Sequence, residues 1–318
     1  RTGIRRPFQA KVFDSQLAVI TFVIFERVDQ VDSNAMVAFF NHHLYFLSLG
    51  SFLIATFDHN FFDFFAIKSH ADFHAFIANG VFFVGFLTIK KNIPIAIPFA
   101  WDESFMALDR ALHFGVLPHE LLAPLLQNPP VTFIINVIYN LWFVVLTAFF
   151  FWQGFRNKDT PLRRQYLLSY LLTWGVGTCL LGTLLSSAGP CFYGFVAEGP
   201  NPYAGLIAYL AEANTQYPIW AVPTQEILWQ SHVAGAGEIE GVSAMPSMHV
   251  ATTILFILCA RTAGVRWLTW FTYLFSATIF LGSILLAWHY AVDGYAGALV
   301  ALACWKLSGW WVKRDATA

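Results

Sequence analysis

Apolar residues run in long unbroken stretches along this 318-residue chain, broken by short polar segments. The stretches fall approximately at 12–28, 35–57, 72–89, 131–152, 166–187, 247–261, 266–286 and 290–311. A helix needs roughly 20 consecutive apolar residues to cross a hydrocarbon core of about 30 Å. Each stretch is therefore read as a membrane-spanning helix. Within them apolar residues do not alternate with polar ones, which argues against a β-barrel. The first stretch is the least regular, since Glu26, Arg27 and Asp29 close it. Arg1, Arg5, Arg6 and Lys11 precede its apolar run Leu17–Phe25, without a small-residue cleavage site. No internal repeat or low-complexity linker divides the chain, and one membrane domain fits.

Composition supports the same class. Hydrophobic residues make up 57% and charged residues only 12%, against about 25% charged in soluble domains. The fold class is an all-α polytopic membrane protein. A net charge of −1 leaves no electrostatic footprint for nucleic acid. The four cysteines, Cys179, Cys191, Cys259 and Cys304, show neither metal spacing nor a disulfide framework.

Charge also orients the spans, because Lys and Arg favour cytoplasmic loops. Arg156, Lys158, Arg163 and Arg164 lie in the loop 153–165, Arg261 and Arg266 in the turn 261–266, and Lys313 and Arg314 in the tail. The spans put all three on one side. The opposite loop, 188–246, has no Lys or Arg and carries Glu198, Glu212, Glu226, Glu238 and Glu240. It is expected on the extracytoplasmic face, periplasmic or lumenal. Lys90 and Lys91 also fall on that outer side, against the bias.

Three polar segments meet at the outer ends of the spans. One is "SSAGPCFY" (Ser186–Tyr193), one is "GVSAMPSMHVA" (Gly241–Ala251) and one is "WHYAVDGYAG" (Trp288–Gly297). His289 and Asp293, four residues apart, share one helical face. A carboxylate there can accept the imidazole Nδ1–H, fix its tautomer and leave Nε2 free to attack. His249 is expected at the same depth and can protonate a leaving oxygen, since the ordinary imidazole pKa is about 6.5. Pro246 suits a first helical turn. The Ser247 hydroxyl and the N–H groups of that helix start suit an anion. Gly294 and Gly297 permit close packing of the last span. A single histidine at a membrane interface is more often a satisfied polar residue, and Trp288, Tyr290 and Tyr295 alone would make an aromatic belt. Convergence of His249, His289 and Asp293 favours a functional site.

The motifs "MPSMH" and "WHYAVDG" resemble the second and third signatures of the type-2 phosphatidic acid phosphatase superfamily. With "SSAGPCFY" ahead of them, the pattern is similar to the inositol phosphorylceramide synthase-like branch. "IPFAWDESFMALDRALHFG" (Ile97–Gly115) and "NPPVTFIINVIYNLWF" (Asn128–Phe143) resemble bacterial members, so the likeness covers roughly 95–311. It implies a six-helix core, here with about two further N-terminal helices. Residues 95–318 would be the phosphatase- or phosphotransferase-like domain and 1–94 membrane helices of unassigned role. It further implies a phosphohistidine-type intermediate: His289 as nucleophile, Asp293 as its partner, His249 as general acid and then base, and Ser247 as a phosphate ligand, with Gly189 of "SSAGPCFY" beside it.

Two features depart from the family pattern. Phosphatases of the superfamily carry Lys and Arg in the first motif and an Arg ahead of the nucleophile. Ser186–Tyr193 has neither, and Ser283 stands near the latter position. Arg110 is the expected replacement cation. Its segment reads as an amphipathic helix on the membrane surface, with Phe105, Leu108, Leu112 and Val116 as the apolar stripe. The competing reading is a snorkelling Arg110 paired with Asp109 or Asp102.

The expected function is a metal-independent lipid phosphotransferase that moves a phosphate or phospho-alcohol headgroup, inositol-phosphate type favoured, between membrane lipids. No cofactor is implied, and the oligomeric state stays open. The alternatives are a lipid phosphate phosphatase, a proton-relaying transporter and a non-catalytic lipid-binding protein. A transporter would place its polar residues near the midplane. His70 and His74, one turn apart in "HADFH", form a conceivable metal pair but lack further ligands, so interfacial polar residues are the default reading. Asn136, Tyr139 and Trp142 are read as packing residues or as the lining of a lipid groove.

Overall fold

The computed structural model describes Phe82, Phe86, Lys90 and Ile93, then residues 97–155, 160–234 and 241–317. The spans expected over 12–28 and 35–57, the His70–His74 pair and nearly all of the 1–94 segment lie outside the described residues. Among the described residues the structure is all-helical, without strands. In chain order the principal helices are α1 (Asp102–Leu112), α2 (Pro118–Leu126), α3 (Pro129–Gly154), α4 (Pro161–Leu184), α5 (Ala204–Gln216), α6 (Ala221–Val233), α7 (Met248–Thr262), α8 (Arg266–Leu285) and α9 (Ala291–Thr317).

Three of these, α3, α4 and α8, are long and apolar enough to cross a membrane. Local chemistry sets their starts. Prolines open α3 and α4, where a missing N–H costs nothing. Thr160 caps α4 by accepting from the Arg163 N–H. α7 has only 15 residues, about 22 Å at 1.5 Å per residue. It is shorter than a hydrocarbon core and carries Arg261 in its last turn.

Helices α7, α8 and α9 pack on one another and on α3 and α4. Buried polar contacts tie them: Trp142 Nε1 donates to Thr252 Oγ1 at 2.8 Å, and Thr253 and Ser276 share a hydrogen bond of 2.9 Å. Small residues allow the closest approaches, as expected for Gly294 and Gly297. A Cβ on Gly294 would lie 2.6 Å from the Phe280 ring, and one on Gly297 would overlap the Ser247 carbonyl oxygen. At one end of the bundle Arg164 pairs with Asp315 at 2.9 Å, so the start of α4 and the end of α9 lie together. This is the basic end anticipated from the loop charges. The polar motifs gather at the other end, where residues 185–234 and 241–247 form helices and turns.

In α1 one residue of the expected stripe, Phe105, turns to the protein between two acids. The buried residues of this helix are Asp102, Phe105 and Asp109. The helix is amphipathic, but two carboxylates and one phenyl ring face the protein. Leu108 and Leu112 lie on the exposed face.

Candidate active site

His289 sits in the turn between α8 and α9, and this turn is held from several sides. The N–H groups of Trp288 and His289 both donate to the Ser283 carbonyl, so the chain folds back onto the last turn of α8. Cys191 N–H donates to the Ala287 carbonyl at 2.9 Å, and Gln225 Nε2 to the Leu286 carbonyl at 2.8 Å. Gly189 packs so tightly beneath the turn that a Cβ there would lie 2.8 Å from the Trp288 carbonyl oxygen. Its φ of +99° is one that L side chains rarely adopt.

The His289–Asp293 pair forms as the spacing implied. His289 Nδ1 lies 3.3 Å from Asp293 Oδ2, and the same oxygen accepts the Tyr290 N–H at 3.0 Å. An ionised Asp293 can only accept, so with it Nδ1 carries the proton and Nε2 presents its lone pair. The contact is at the long end for a hydrogen bond. Asp293 is fully buried, and its Oδ1 has no partner among the described residues.

His249 reaches the same place from the first turn of α7. The His249 and His289 ring centroids are 6.0 Å apart. Tyr139 stacks on His249 at 4.6 Å and Trp142 lies against it at 4.1 Å. The Trp142 indole bonds Thr252, whose hydroxyl in turn contacts the Met248 and His249 carbonyls. Two aromatic rings thus set the orientation of His249, and its ring nitrogens form no hydrogen bond among the described residues. The residues expected from the sequence to pack or to line a groove include these two. Asn136 stands apart, accepting from Ala221 N–H at 3.3 Å.

The residues assigned to phosphate fall differently. Ser247 is fully buried and caps α7, its side chain accepting from Val250 N–H at 3.4 Å. Its own N–H donates to the Asp293 carbonyl at 2.9 Å, which joins the starts of α7 and α9. Pro246 precedes this cap rather than opening the helix. The Gly189 N–H is committed to Asp102 Oδ1 at 2.8 Å. Arg110 is exposed, and its charge acts on Tyr193 and Tyr203. It pairs with neither Asp102 nor Asp109, since both carboxylates are occupied elsewhere.

Those two carboxylates are the site feature that sequence reasoning missed. Asp102 accepts from the N–H groups of Ala188 and Gly189 and from Tyr290 Oη at 2.8 Å. Asp109 accepts from Ala291 N–H at 2.8 Å and Val292 N–H at 2.9 Å. Those amides open α9, where a negative charge also meets the positive end of the helix dipole. Spaced two turns apart on one face, the pair straps α1 across the loop 186–193 and the start of the helix that carries Asp293. Burial pushes both carboxyl pKa values up, and the amide hydrogen bonds pull them partly back. The signal was present as two acids flanking Phe105 on the same helical face.

The fold and the site together define an all-helical membrane protein with a His–Asp pair and a second histidine at one end of its bundle. The profile of the PAP2 superfamily matches residues 103–307, and the chain belongs to this superfamily. Its members are generally phosphatases or phosphotransferases. The match does not single out the inositol phosphorylceramide synthase-like branch. No curated protein and no solved structure matches the chain.

Proposed function

We propose that the protein is a lipid phosphotransferase using His289 as nucleophile and His249 as acid and base. The observation that carries this reading is the convergence of His289, its Asp293 partner and the His249 ring from separate helices. His289 Nε2 attacks phosphorus of a lipid phosphodiester and the bond to the lipid alcohol oxygen breaks. His249 gives that oxygen its proton. The acceptor lipid's hydroxyl then loses its proton to His249 and attacks phosphorus, and the P–N bond breaks. One displacement becomes two, each with a positioned proton carrier. Asp293 steadies the cation that forms on His289.

An inositol-phosphate headgroup is favoured, from the likeness of the three motifs to the synthase branch. The reaction is placed on the extracytoplasmic face, because the Lys and Arg of the loops gather at the other end of the spans. Water as acceptor would make the same machinery a phosphatase, so the two readings differ in what reaches the second step.

The test uses purified protein in detergent with phosphatidylinositol or phosphatidic acid as donor and ceramide or diacylglycerol as acceptor. Free phosphate and new lipid are followed by mass, with wild type against His289→Ala and with and without a chelator. A new phosphorylated lipid that disappears in the variant and persists in chelator is expected. Phosphate release alone would make the protein a phosphatase. Turnover that survives His289→Ala would overturn the site.

A further inference from the structure

A phosphoryl group in transfer carries negative charge that fixed positive charge must meet. Asp293 beside His289, itself acted on by the charge of Asp109, makes this need greater. Arg110 is exposed and acts on Tyr193 and on Tyr203, which packs against Tyr290, and its charge is not among those felt by His249. Lys90 does act on His249. It is half-buried and forms no ion pair or hydrogen bond among the described residues.

Helix register places Lys90 at the same level independently. Phe82 lies against Tyr170 at 6.1 Å and Phe86 against Trp174 at 4.5 Å. Both partners advance by four residues from the first contact to the second, and the same step brings Lys90 level with Thr178. Next to Thr178, Gly177 abuts α7: a Cβ on it would lie 2.7 Å from Met248 Sδ, beside His249. Thr178 Oγ1 is itself buried without a partner among the described residues. A cation and an unpaired hydroxyl therefore stand at the depth of the His249 ring.

We propose that Lys90 supplies the positive charge that binds the substrate's phosphate at the His249–His289 pair. This rests on the phosphoryl-transfer reading of the site. A lysine suits the task, because its long apolar stem crosses hydrocarbon while the ammonium reaches polar surroundings. It also accounts for a basic residue on the side of the chain otherwise poor in them.

The test is binding of inorganic phosphate to the purified full chain in lipid nanodiscs, read as thermal stabilisation, beside lipid turnover. The variants are Lys90→Met, Lys90→Arg, His289→Ala and, as a charge-removal control at the opposite end of the bundle, Arg164→Ala. Phosphate is expected to stabilise wild type, Lys90→Arg and Arg164→Ala, and to bind Lys90→Met about 10- to 100-fold more weakly. Equal stabilisation of Lys90→Met would reduce Lys90 to a snorkelling residue and overturn the proposal. Stabilisation lost in Lys90→Met while turnover survives His289→Ala would keep the phosphate site and remove the nucleophile. Wild type that neither binds phosphate nor turns lipid over would sink both. Should Lys90→Met fail to fold, Lys90→Gln makes the same comparison.

Discussion

Gly297 offers the sharpest perturbation of the site. It is buried on α9, four residues beyond Asp293, and faces the first turn of α7. In Gly297→Ala the new methyl would overlap the Ser247 carbonyl oxygen and stand 3.3 Å from the Ser247 carbonyl carbon and 3.4 Å from the Ala251 nitrogen. These are backbone atoms, so no side chain can swing aside. Ordinary carbon contacts begin near 3.5 Å, and the first turn of α7 must retreat by roughly 1 Å. That turn carries His249, whereas His289 and Asp293 meet beside α9. The His249–His289 separation changes while the 3.3 Å His289–Asp293 contact is kept. A misplacement of about 1 Å costs on the order of 100-fold in rate. Overpacking costs about 1–3 kcal/mol, offset by up to ~1 kcal/mol from replacing a helical glycine.

The expected outcome is therefore a folded protein with a modestly lower melting temperature and turnover reduced about 100-fold, mainly in kcat. Gly205→Ala is the control. Gly205 is exposed at the start of α5 with nothing within 4 Å of a Cβ, so turnover should hold and stability rise by roughly 0.4–1 kcal/mol. Both variants are purified alike, melted in detergent and assayed with the lipid donor and acceptor. Wild-type turnover in Gly297→Ala with an unchanged melting temperature would refute the claim that α7–α9 contact sets the histidine geometry.

Trp142→Phe keeps a ring beneath His249 but loses the bond to Thr252, whose hydroxyl still has the Met248 carbonyl. It should cost about 1 kcal/mol, with most turnover retained. Trp142→Ala should cost about 3–5 kcal/mol and abolish turnover; wild-type turnover in Trp142→Ala would remove this ring from the site. Burial raises the folded-state pKa values of Asp102 and Asp109, so the folded state binds more protons than the unfolded one. Their contribution to stability is fully present below the ordinary carboxylate range and declines as pH rises through the raised values. Melting temperatures from about pH 4 to about pH 7 should fall in wild type, and less steeply in Asp102→Asn. An identical slope in the variant would mean that Asp102 does not titrate in this window.

What was legible in the sequence was local, or fixed by counting spans. His289 and Asp293 are four residues apart, and helical periodicity alone brings them together. His249 needed one further step, the even number of crossings that puts two span ends on one side. On α1 the periodicity grouped Phe105 with Leu108 and Leu112, whereas Phe105 lies between Asp102 and Asp109 on the inner face. The acids turn inward to amides that would otherwise lack partners. The engagement of Gly189 could not be foreseen either. Its partner Asp102 lies 87 positions away, and no periodicity links them. Tyr139 and Trp142 were visible only as apolar residues of a span, because their partner is His249 on another helix.

The two carboxylates of α1 also explain how a site so poor in arginine can be built. In a first motif rich in cations, charged side chains can both hold the phosphate and organise the loop around it. Here loop 186–193 is organised by an anion instead: Asp102 gathers the amides of Ala188 and Gly189, and Asp109 closes the start of α9. Those amides are thereby withdrawn from phosphate, and two negative charges are added near the reacting centre. Positive charge must then come from outside both motifs, from a segment near enough to His249 to act on it. Lys90 meets that requirement, whereas Arg110, on the same helix as the two acids, acts on Tyr193 and Tyr203. Anchoring the loop by acids and binding phosphate through a lysine of another helix are thus two parts of one arrangement, and the phosphate affinity of Lys90→Met tests the second part directly.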